Sequence, residues 1–182
     1  GEKKDKPHMP ISTKVLADCL SIRDMGSRAD RVMTLDIHAS AIQGQFGIPT
    51  DVLHSFHGVA NYINSHYPEI VDNLVVAAPD EGSADRARAF ADRLGKDMDI
   101  AVVDKKRIDG GKVKVRDVLG DVDGRDCIIV DDILSSGGTL KVAEDALRNK
   151  GAKKLYGHVS HFVGSGDYQE NLRGFERFFT ID

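Results

Sequence analysis

Two adjacent carboxylates and a run of small residues follow a strongly apolar stretch in the last third of the chain. The stretch Cys127–Val130 leads into Asp131 and Asp132, and the small residues stand directly before a segment of helical period. Backbone N–H groups in such a turn can approach a phosphate closely, and the dipole of the following helix and nearby hydroxyl groups add to the attraction. The pattern predicts a cradle for a phosphate monoester, made of Ser135, Ser136, Gly137, Gly138 and Thr139.

The two carboxylates suit a sugar attached to that phosphate. Side chains at the carboxyl end of a parallel strand face the crevice in which ligands bind, and Asp131 and Asp132 can accept hydrogen bonds from two neighbouring ribose hydroxyls. The alternative is a helix N-terminus at which Asp and Ser residues are only caps. An isolated turn of this kind fits both interpretations equally. The complete string is more specific than such a turn, and it differs from the Walker phosphate-binding pattern because it has no lysine.

Short β-branched runs alternate with segments of helical period along the chain, which is typical of a parallel sheet covered by helices. The predicted fold class is therefore α/β. Helices are expected near residues 12–25, 58–65, 83–94 and 138–149, and strands near 31–37, 73–78, 100–104, 126–130 and 155–160. The first helix is expected to have one apolar side, made of Val15, Leu16, Cys19, Leu20 and Ile22. The segment Ile108–Lys112 contains two glycines and is expected to be the most flexible.

Composition argues against several classes of protein. The 182 residues include 29 Asp or Glu and 25 Lys or Arg, so no overall basic field exists to attract nucleic acid. Apolar runs do not exceed strand length, and we expect neither a membrane span nor a signal peptide. Cys19 and Cys127 lie among apolar residues and are expected to be buried free thiols of a reducing compartment. These features favour a cytoplasmic protein without nucleic-acid or membrane partners.

Further motifs carry a resemblance that covers nearly the whole chain. Segments of ribose-phosphate pyrophosphokinases, which have the type I phosphoribosyltransferase fold, are similar to segments here in the same order and at similar spacings. These segments are Pro10–Lys14, Thr34–Ala39, Ile42–Gly44, Pro79–Gly82, Val103–Arg107, Gly120–Val122, Gly124–Cys127 and the string described above. Ordinary phosphoribosyltransferases share the Asp131–Thr139 loop but not the block around His38 and Gln43. The chain therefore resembles the pyrophosphokinases more than their cousins.

The resemblance implies a reaction and a role for each motif. ATP and ribose 5-phosphate would give phosphoribosyl pyrophosphate and AMP, with Mg²⁺ as the cofactor. Asp131 and Asp132 would hold the ribose hydroxyls, and Ser135–Thr139 the 5-phosphate. His38 and Asp80 match metal-associated residues of the family.

Lys105 and Arg107 match the basic pair on the family's mobile loop, where two cations neutralise charge that develops on the transferred pyrophosphoryl group. Without the resemblance, these two residues fit a solvated basic turn, and a lone His38 after a strand is more often structural. The surrounding motifs favour the catalytic and metal-binding interpretations.

The chain also departs from the family pattern. Glu81-Gly82-Ser83 stands where a small or apolar residue and two glycines are usual, and together with Ser135–Gly138 it leans toward the plant-type subgroup. The family's first N-terminal elements, which hold adenine, and its last strand–helix segment are not found. We therefore expect a near-complete domain at residues 56–182, the remainder of a second similar domain at residues 1–55, and little activity of this chain by itself. Because the family's ATP site is shared between subunits, and open ends leave apolar strand edges uncovered, a homo-oligomer is expected.

Two other functions remain open from the sequence. One is a phosphoribosyltransferase that consumes phosphoribosyl pyrophosphate, which needs a base-binding hood that we do not find in the sequence. The other is a non-catalytic relative that assembles with an active synthetase. The pairs His54/His57 and His158/His161 could suggest metal binding, but neither pair has a nearby third ligand in the sequence.

Overall fold

The computed structural model describes residues 11–21, 29–95, 97–107 and 113–181. The chain divides into two compact units, Gly1–His54 and Ser55–Asp182, and each is described by itself. Among the residues described, no helix has the length and apolar character needed to cross a membrane.

The first unit contains one helix and a two-stranded parallel sheet in its described part. In chain order these are α1 (Ser12–Ser21), β1 (Val32–Leu35), a 3-10 turn (Ser40–Gln45) and β2 (Thr50–Leu53). Val32 pairs with Thr50 at the start of the sheet, and Arg31 and Asp51 form an ion pair at the same end. The side chain of Gln43 donates a hydrogen bond to the carbonyl of Thr50 at 2.8 Å.

The expected apolar side of α1 lies at the surface of the described unit. Leu16 is 58% exposed and Val15 and Leu20 are also exposed, whereas Ala17 is buried. The prediction of a buried thiol is wrong for Cys19, which is exposed, and right for Cys127. A period-3.6 pattern identifies which residues share a side of a helix, but not whether another element covers that side.

The second unit is a six-stranded sheet with helices on both faces. Its helices are α2 (Phe56–His66), α3 (Pro68–Val71), α4 (Ala84–Leu94), α5 (Gly138–Asn149) and α6 (Tyr168–Asn171). Its strands are β3 (Leu74–Ala78), β4 (Ile100–Arg107), β5 (Val113–Leu119), β6 (Asp126–Leu134), β7 (Leu155–Phe162) and β8 (Arg177–Thr180). The strand order is β5-β4-β3-β6-β7-β8, and every neighbouring pair is parallel except β4 and β5. This mainly parallel sheet confirms the α/β fold class.

The centre of the sheet is buried on both faces because its strands are nearly continuous in apolar residues. All five residues of β3 are buried. Val75, Ala77 and Ile129 pack in the core on the side of α5, while Val76 and Ile128 pack in the core on the side of α2 and α4. Strands with such runs belong in the middle of a parallel sheet, where helices cover both faces.

Several strands extend beyond their predicted ends or were not predicted. β4 continues past Asp104 to Arg107, and β6 continues past Val130, so Asp131 and Asp132 lie inside a strand rather than after one. β5 was missed, although Val113–Leu119 alternates apolar and charged residues at its start, as an edge strand does. The segment Ile108–Lys112, expected to be the most flexible, lies outside the described residues.

Candidate functional site

The strand order places two loops of the second unit next to each other. β3 and β6 are parallel neighbours, with Ala77 opposite Ile129. The chain leaves β3 toward β4 on one side of the sheet order, and leaves β6 toward β7 on the other. Such a switch in direction opens a crevice at the carboxyl ends of the two strands, where ligands bind in open α/β sheets. The loop after β3 begins with Pro79 and Asp80, and β6 contributes Asp131 and Asp132.

Asp131 and Asp132 are buried carboxylates at this edge. Asp131 is 9% exposed and Asp132 is 4% exposed. The hydroxyl of Ser83, at the start of α4, donates a hydrogen bond to Asp131 Oδ1 at 3.2 Å, and the backbone N–H of Asp132 donates to the same atom at 3.0 Å. Buried carboxylates are costly unless they are paired, so their presence here needs compensating groups.

The electrostatics of Asp131 reflect this confinement. Burial raises the pKa of the Asp131 carboxyl to about 7, the neighbouring charge of Asp132 adds to the rise, and the guanidinium of Arg86 opposes it. Burial and the neighbouring charge therefore make this carboxyl easier to protonate than an ordinary aspartate. A bound ligand or cation that favours the ionised form is expected to make the Asp131 carboxyl lose its proton.

Arg86 is a site residue that the sequence did not suggest. It is the third residue of α4, and its Nη1 lies 3.5 Å from Asp131 Oδ1 while its Nη2 lies 3.7 Å from Asp132 Oδ2. One signal was available, because a cation in the first turn of a helix is disfavoured by the helix dipole and calls for a negative partner. Nothing in the sequence identified that partner, since β6 lies far along the chain.

The small-residue turn is held by the segment that follows β7. Gly137 has a φ of 79°, and a Cβ there would lie 3.2 Å from the Cβ of Asn171 in α6. The Asn171 side chain donates to the Ser136 carbonyl at 2.9 Å, and the hydroxyls of Ser135 and Ser165 are 2.8 Å apart. α5 begins at Gly138, directly after this turn. The turn thus presents small residues at the N-terminus of a 12-residue helix, as a phosphate cradle requires.

Lys105 reaches the same edge from β4. Its Nζ donates a hydrogen bond to the carbonyl oxygen of Thr139, in the first turn of α5, at 3.1 Å. Burial lowers the pKa of Lys105, while the charges of Asp80 and Asp131 oppose the change. Both Lys105 and Arg107 belong to the last residues of β4 rather than to a loop, and a shift of register falls between Asp104 and Lys105.

The two residues expected at the metal lie in different units. Asp80 Oδ1 accepts a hydrogen bond from the backbone N–H of Ser83 at 3.1 Å and so caps the 3-10 turn Glu81–Ser83 that precedes α4. His38 is an exposed residue three positions after β1 in the first unit. Within the described part of the chain, no three His, Cys, Asp or Glu side chains form a group that could hold a metal ion.

The two histidine pairs have structural contacts. His54 Nδ1 lies 2.9 Å from Asp36 Oδ1 in the first unit. In the second unit, His158 is 1% exposed, stacks on Phe90 and lies 3.2 Å from the carbonyl oxygen of Phe179 through its Nδ1. Phe179 itself is buried in β8.

Comparison with known proteins agrees with this geometry. Residues 52–175 match the model of the phosphoribosyl transferase domain. The ribose-phosphate pyrophosphokinases of Vibrio parahaemolyticus and Agrobacterium fabrum are each 44% identical over 165 residues, or 91% of this chain, and 50% and 51% of their own lengths. The crystal structure of phosphoribosylpyrophosphate synthetase from Mycobacterium smegmatis aligns with a TM-score of 0.83 and 32% identity, covering 98% of this chain and 56% of that one.

The chain spans about half the length of the curated relatives that it matches. The phosphoribosyl transferase model nevertheless covers more than half of the chain, including the crevice, the turn and both carboxylates. This chain therefore belongs to the phosphoribosyl transferase domain family, and its curated relatives are ribose-phosphate pyrophosphokinases.

Proposed function

We propose that this protein is a ribose-phosphate diphosphokinase, which transfers the diphosphoryl group of ATP to ribose 5-phosphate and releases AMP. One observation carries the proposal: only Ile133 and Leu134 separate the buried pair Asp131 and Asp132 from a small-residue turn at a helix N-terminus, and Lys105 contacts that helix. A vicinal diol and a phosphate on one ribose match the carboxylates and the turn. The names of the curated relatives support the same reaction.

Each part of the crevice has a task in this reaction. Asp131 and Asp132 accept hydrogen bonds from the ribose hydroxyls, and Ser135–Thr139 bind the 5-phosphate through backbone N–H groups and hydroxyls. The ribose is then fixed with its anomeric hydroxyl free to attack, and transfer of this kind depends on positioning and charge neutralisation more than on covalent help. Lys105 and Arg107 supply positive charge for the pyrophosphoryl group as it moves.

Mg²⁺ is part of the proposal, with Asp80 as the metal-associated carboxylate of the second unit and His38 as the metal-associated residue of the first unit. Mg²⁺ is usually bound by one or two carboxylates together with substrate phosphates, so it does not need a cage made of protein ligands alone. The carboxylate of Asp80, at the mouth of the crevice, is a ligand of the required kind. When bound, the ion would neutralise charge on the ATP phosphates.

We also propose a domain division, binding partners, a cellular location and an oligomeric state for the protein. Residues 56–182 would form a C-terminal phosphoribosyltransferase-like domain and residues 1–55 the remainder of an N-terminal one. ATP and ribose 5-phosphate would be the partners of a cytoplasmic homo-oligomer that binds neither nucleic acid nor membranes.

The ribose-phosphate site is tested by calorimetry with Asp132→Asn. This change keeps the volume of the side chain but removes its charge, and the loss of a charge-assisted hydrogen bond is expected to weaken ribose 5-phosphate binding by about tenfold or more. Asp145→Asn is the matched control, because Asp145 is an exposed carboxylate on α5 that pairs with Lys141. Unchanged affinity in a folded Asp132→Asn protein would remove this site from the proposal.

The reaction itself is tested by the products. A diphosphokinase forms AMP only when ATP and ribose 5-phosphate are both present, whereas a phosphoribosyltransferase forms pyrophosphate from phosphoribosyl pyrophosphate and a base. Pyrophosphate release without any AMP formation in the natural protein would favour the second class.

A further inference from the structure

We propose that Arg86 is a positioning residue, whose guanidinium spans Asp131 and Asp132 and holds both carboxylates ready to accept the ribose hydroxyls. This inference rests on the proposed function, because it assigns the two carboxylates to a ribose. It adds a residue on α4 that holds the two carboxylates on β6 in place.

The geometry sets Arg86 apart from the other cations of the second unit. Its two Nη atoms face one carboxylate each, at 3.5 Å from Asp131 Oδ1 and 3.7 Å from Asp132 Oδ2. All three side chains are shielded from solvent: counted for the side-chain atoms alone, the exposed fractions are 19% for Arg86, 12% for Asp131 and 6% for Asp132. An ion pair shielded in this way is screened little by salt. A planar guanidinium can face two acceptors at once, which a lysine ammonium does less well.

Two buried carboxylates on consecutive residues need such a partner. Without a cation between them, their mutual repulsion and burial favour the neutral form, which cannot accept a hydrogen bond through both oxygens. Charged groups near Asp131 come from several elements: Asp132 on β6, Arg86 on α4 and Lys105 on β4, and Lys105 in turn is influenced by Asp80 after β3. Lys105 Nζ donates to the Thr139 carbonyl. Arg86 is the cation whose ion pairs with both carboxylates the structure describes.

The competing interpretation is purely structural, with Arg86 only fastening α4 to β6. The two interpretations differ in their effect on the ionisation of the pair. A fastening residue affects stability, whereas a positioning residue also sets the pH at which the carboxylates are ready for the sugar. Because Arg86 opposes the raised pKa of Asp131, its removal should push that pKa higher, and ribose binding should then require a higher pH.

The test compares ribose 5-phosphate affinity, measured by calorimetry over about pH 5.5 to 9, among wild-type protein, Arg86→Gln, Arg86→Lys and Arg88→Gln. Arg88→Gln is the matched control, because Arg88 lies on the same helix, loses the same charge and pairs only with the exposed Asp85 among the contacts described. Titration of the ligand phosphate is common to all four proteins and cancels in the comparison.

The proposal expects Arg86→Gln to bind about tenfold or more weakly at neutral pH, with the midpoint of its pH dependence moved upward. Arg88→Gln should follow wild type. Arg86→Lys keeps a positive charge, so it should remain folded with a smaller shift of the midpoint, but its affinity should still be several-fold below wild type because one ammonium faces two carboxylates less well.

The experiment can distinguish an error in the role of Arg86 from an error in the proposed function. If wild-type protein binds ribose 5-phosphate but folded Arg86→Gln shows the same affinity and the same midpoint, the positioning role is wrong while the proposed function stands. Equal shifts in Arg86→Gln and Arg88→Gln, or an Arg86→Lys protein that binds like wild type, would also overturn it. If wild-type protein binds no ribose 5-phosphate at any pH, the proposed function fails and the inference falls with it.

Discussion

The crevice draws its charged residues from three elements, β4, α4 and β6. The sequence predicted that Asp131, Asp132 and the small-residue turn lie together before a helix, because they belong to one contiguous string. Arg86 was not identified, because its partners lie on another element and only the sheet order brings them together. Lys105 was assigned to a loop, and its contact with Thr139 depends on where β4 ends.

At the residue scale, Lys105 is expected to act mainly in the transition state. Lys105→Ala should lower kcat for AMP formation in the natural protein by about 10²-fold or more, since it removes a cation that is already positioned beside the N-terminus of α5. Ribose 5-phosphate affinity should change little, because the described contact of Lys105 with α5 is to a backbone carbonyl oxygen. AMP formation at varied substrate concentrations is the measurement.

The control for this prediction is the neighbouring lysine. Lys106 is exposed on the same strand, and Lys106→Ala removes the same charge from the protein. Equal kcat values for the two variants would show that general charge, and not the position of Lys105, determines the rate. A Lys105→Ala protein with wild-type kcat would exclude Lys105 from the mechanism.

At the scale of elements, the sequence predicted best where strong end signals exist. The helix at 138–149 agrees at both ends, because Gly137 and Gly138 precede its apolar pattern and Gly151 follows it. Strand ends without such signals were predicted less well. β6 and β7 both continue past their expected last residues, because each supplies the other with further hydrogen-bond partners. Strand length is a property of the sheet as much as of the segment.

The contact between α5 and the chain before β8 was not visible in the local sequence pattern. Glu144 on α5 is 2% exposed and pairs with Arg148 Nε at 3.0 Å and Lys141 Nζ at 3.2 Å. The Arg148 guanidinium also donates to the carbonyls of Gly174 and Lys153. This ion cluster around the buried Glu144 fastens the chain before β8 onto α5, and a Cβ at Gly174 would overlap Glu144 Oε1.

Gly174→Ala is therefore expected to destabilise the protein. The added methyl group must displace a buried carboxylate from its ion pairs, and overpacking of this kind lowers the free energy of unfolding by about 1–3 kcal/mol. Urea denaturation is the measurement. Gly58→Ala is the control, because a Cβ at Gly58, inside α2, meets nothing within 4 Å, and its helix should gain about 0.5–1 kcal/mol.

A double-mutant cycle identifies the cause. In a Glu144→Ala background the added methyl group no longer meets a carboxylate, so Gly174→Ala should cost much less than it does in wild-type protein. An equal cost in both backgrounds would show that the backbone near Gly174, and not Glu144, resists the change.

At the scale of the whole molecule, self-association is the expectation that the sequence and the fold share. β5 and β8 are the outer strands of the six-stranded sheet, and Val15, Leu16 and Leu20 form an exposed apolar side on α1. Unpaired strand edges and apolar patches favour association with another chain. Static light scattering should give a mass of at least two chains, with Leu16→Glu shifting the protein toward monomer.

Ser12→Glu is the control for this prediction, since Ser12 is exposed on the same helix and the change adds the same charge. A monomeric mass at high protein concentration would contradict the expectation. An unaltered oligomer in Leu16→Glu would place the contact elsewhere than on α1.

The overall fold class was predictable because alternating strands and helices constrain the architecture strongly. The exposure of the apolar side of α1 was not predictable, because it depends on whether another element covers that side.

The two cysteines of the chain differ in their access to solvent. Cys19 is exposed in the first unit, while Cys127 is fully buried in the second and burial raises the pKa of its thiol to about 12. A thiol-reactive fluorophore at neutral pH will therefore attach to Cys19 alone in folded protein. Such a dye would report on the first unit optically while leaving the crevice of the second unit chemically untouched, and modification of Cys127 would signal that the core of the second unit has opened.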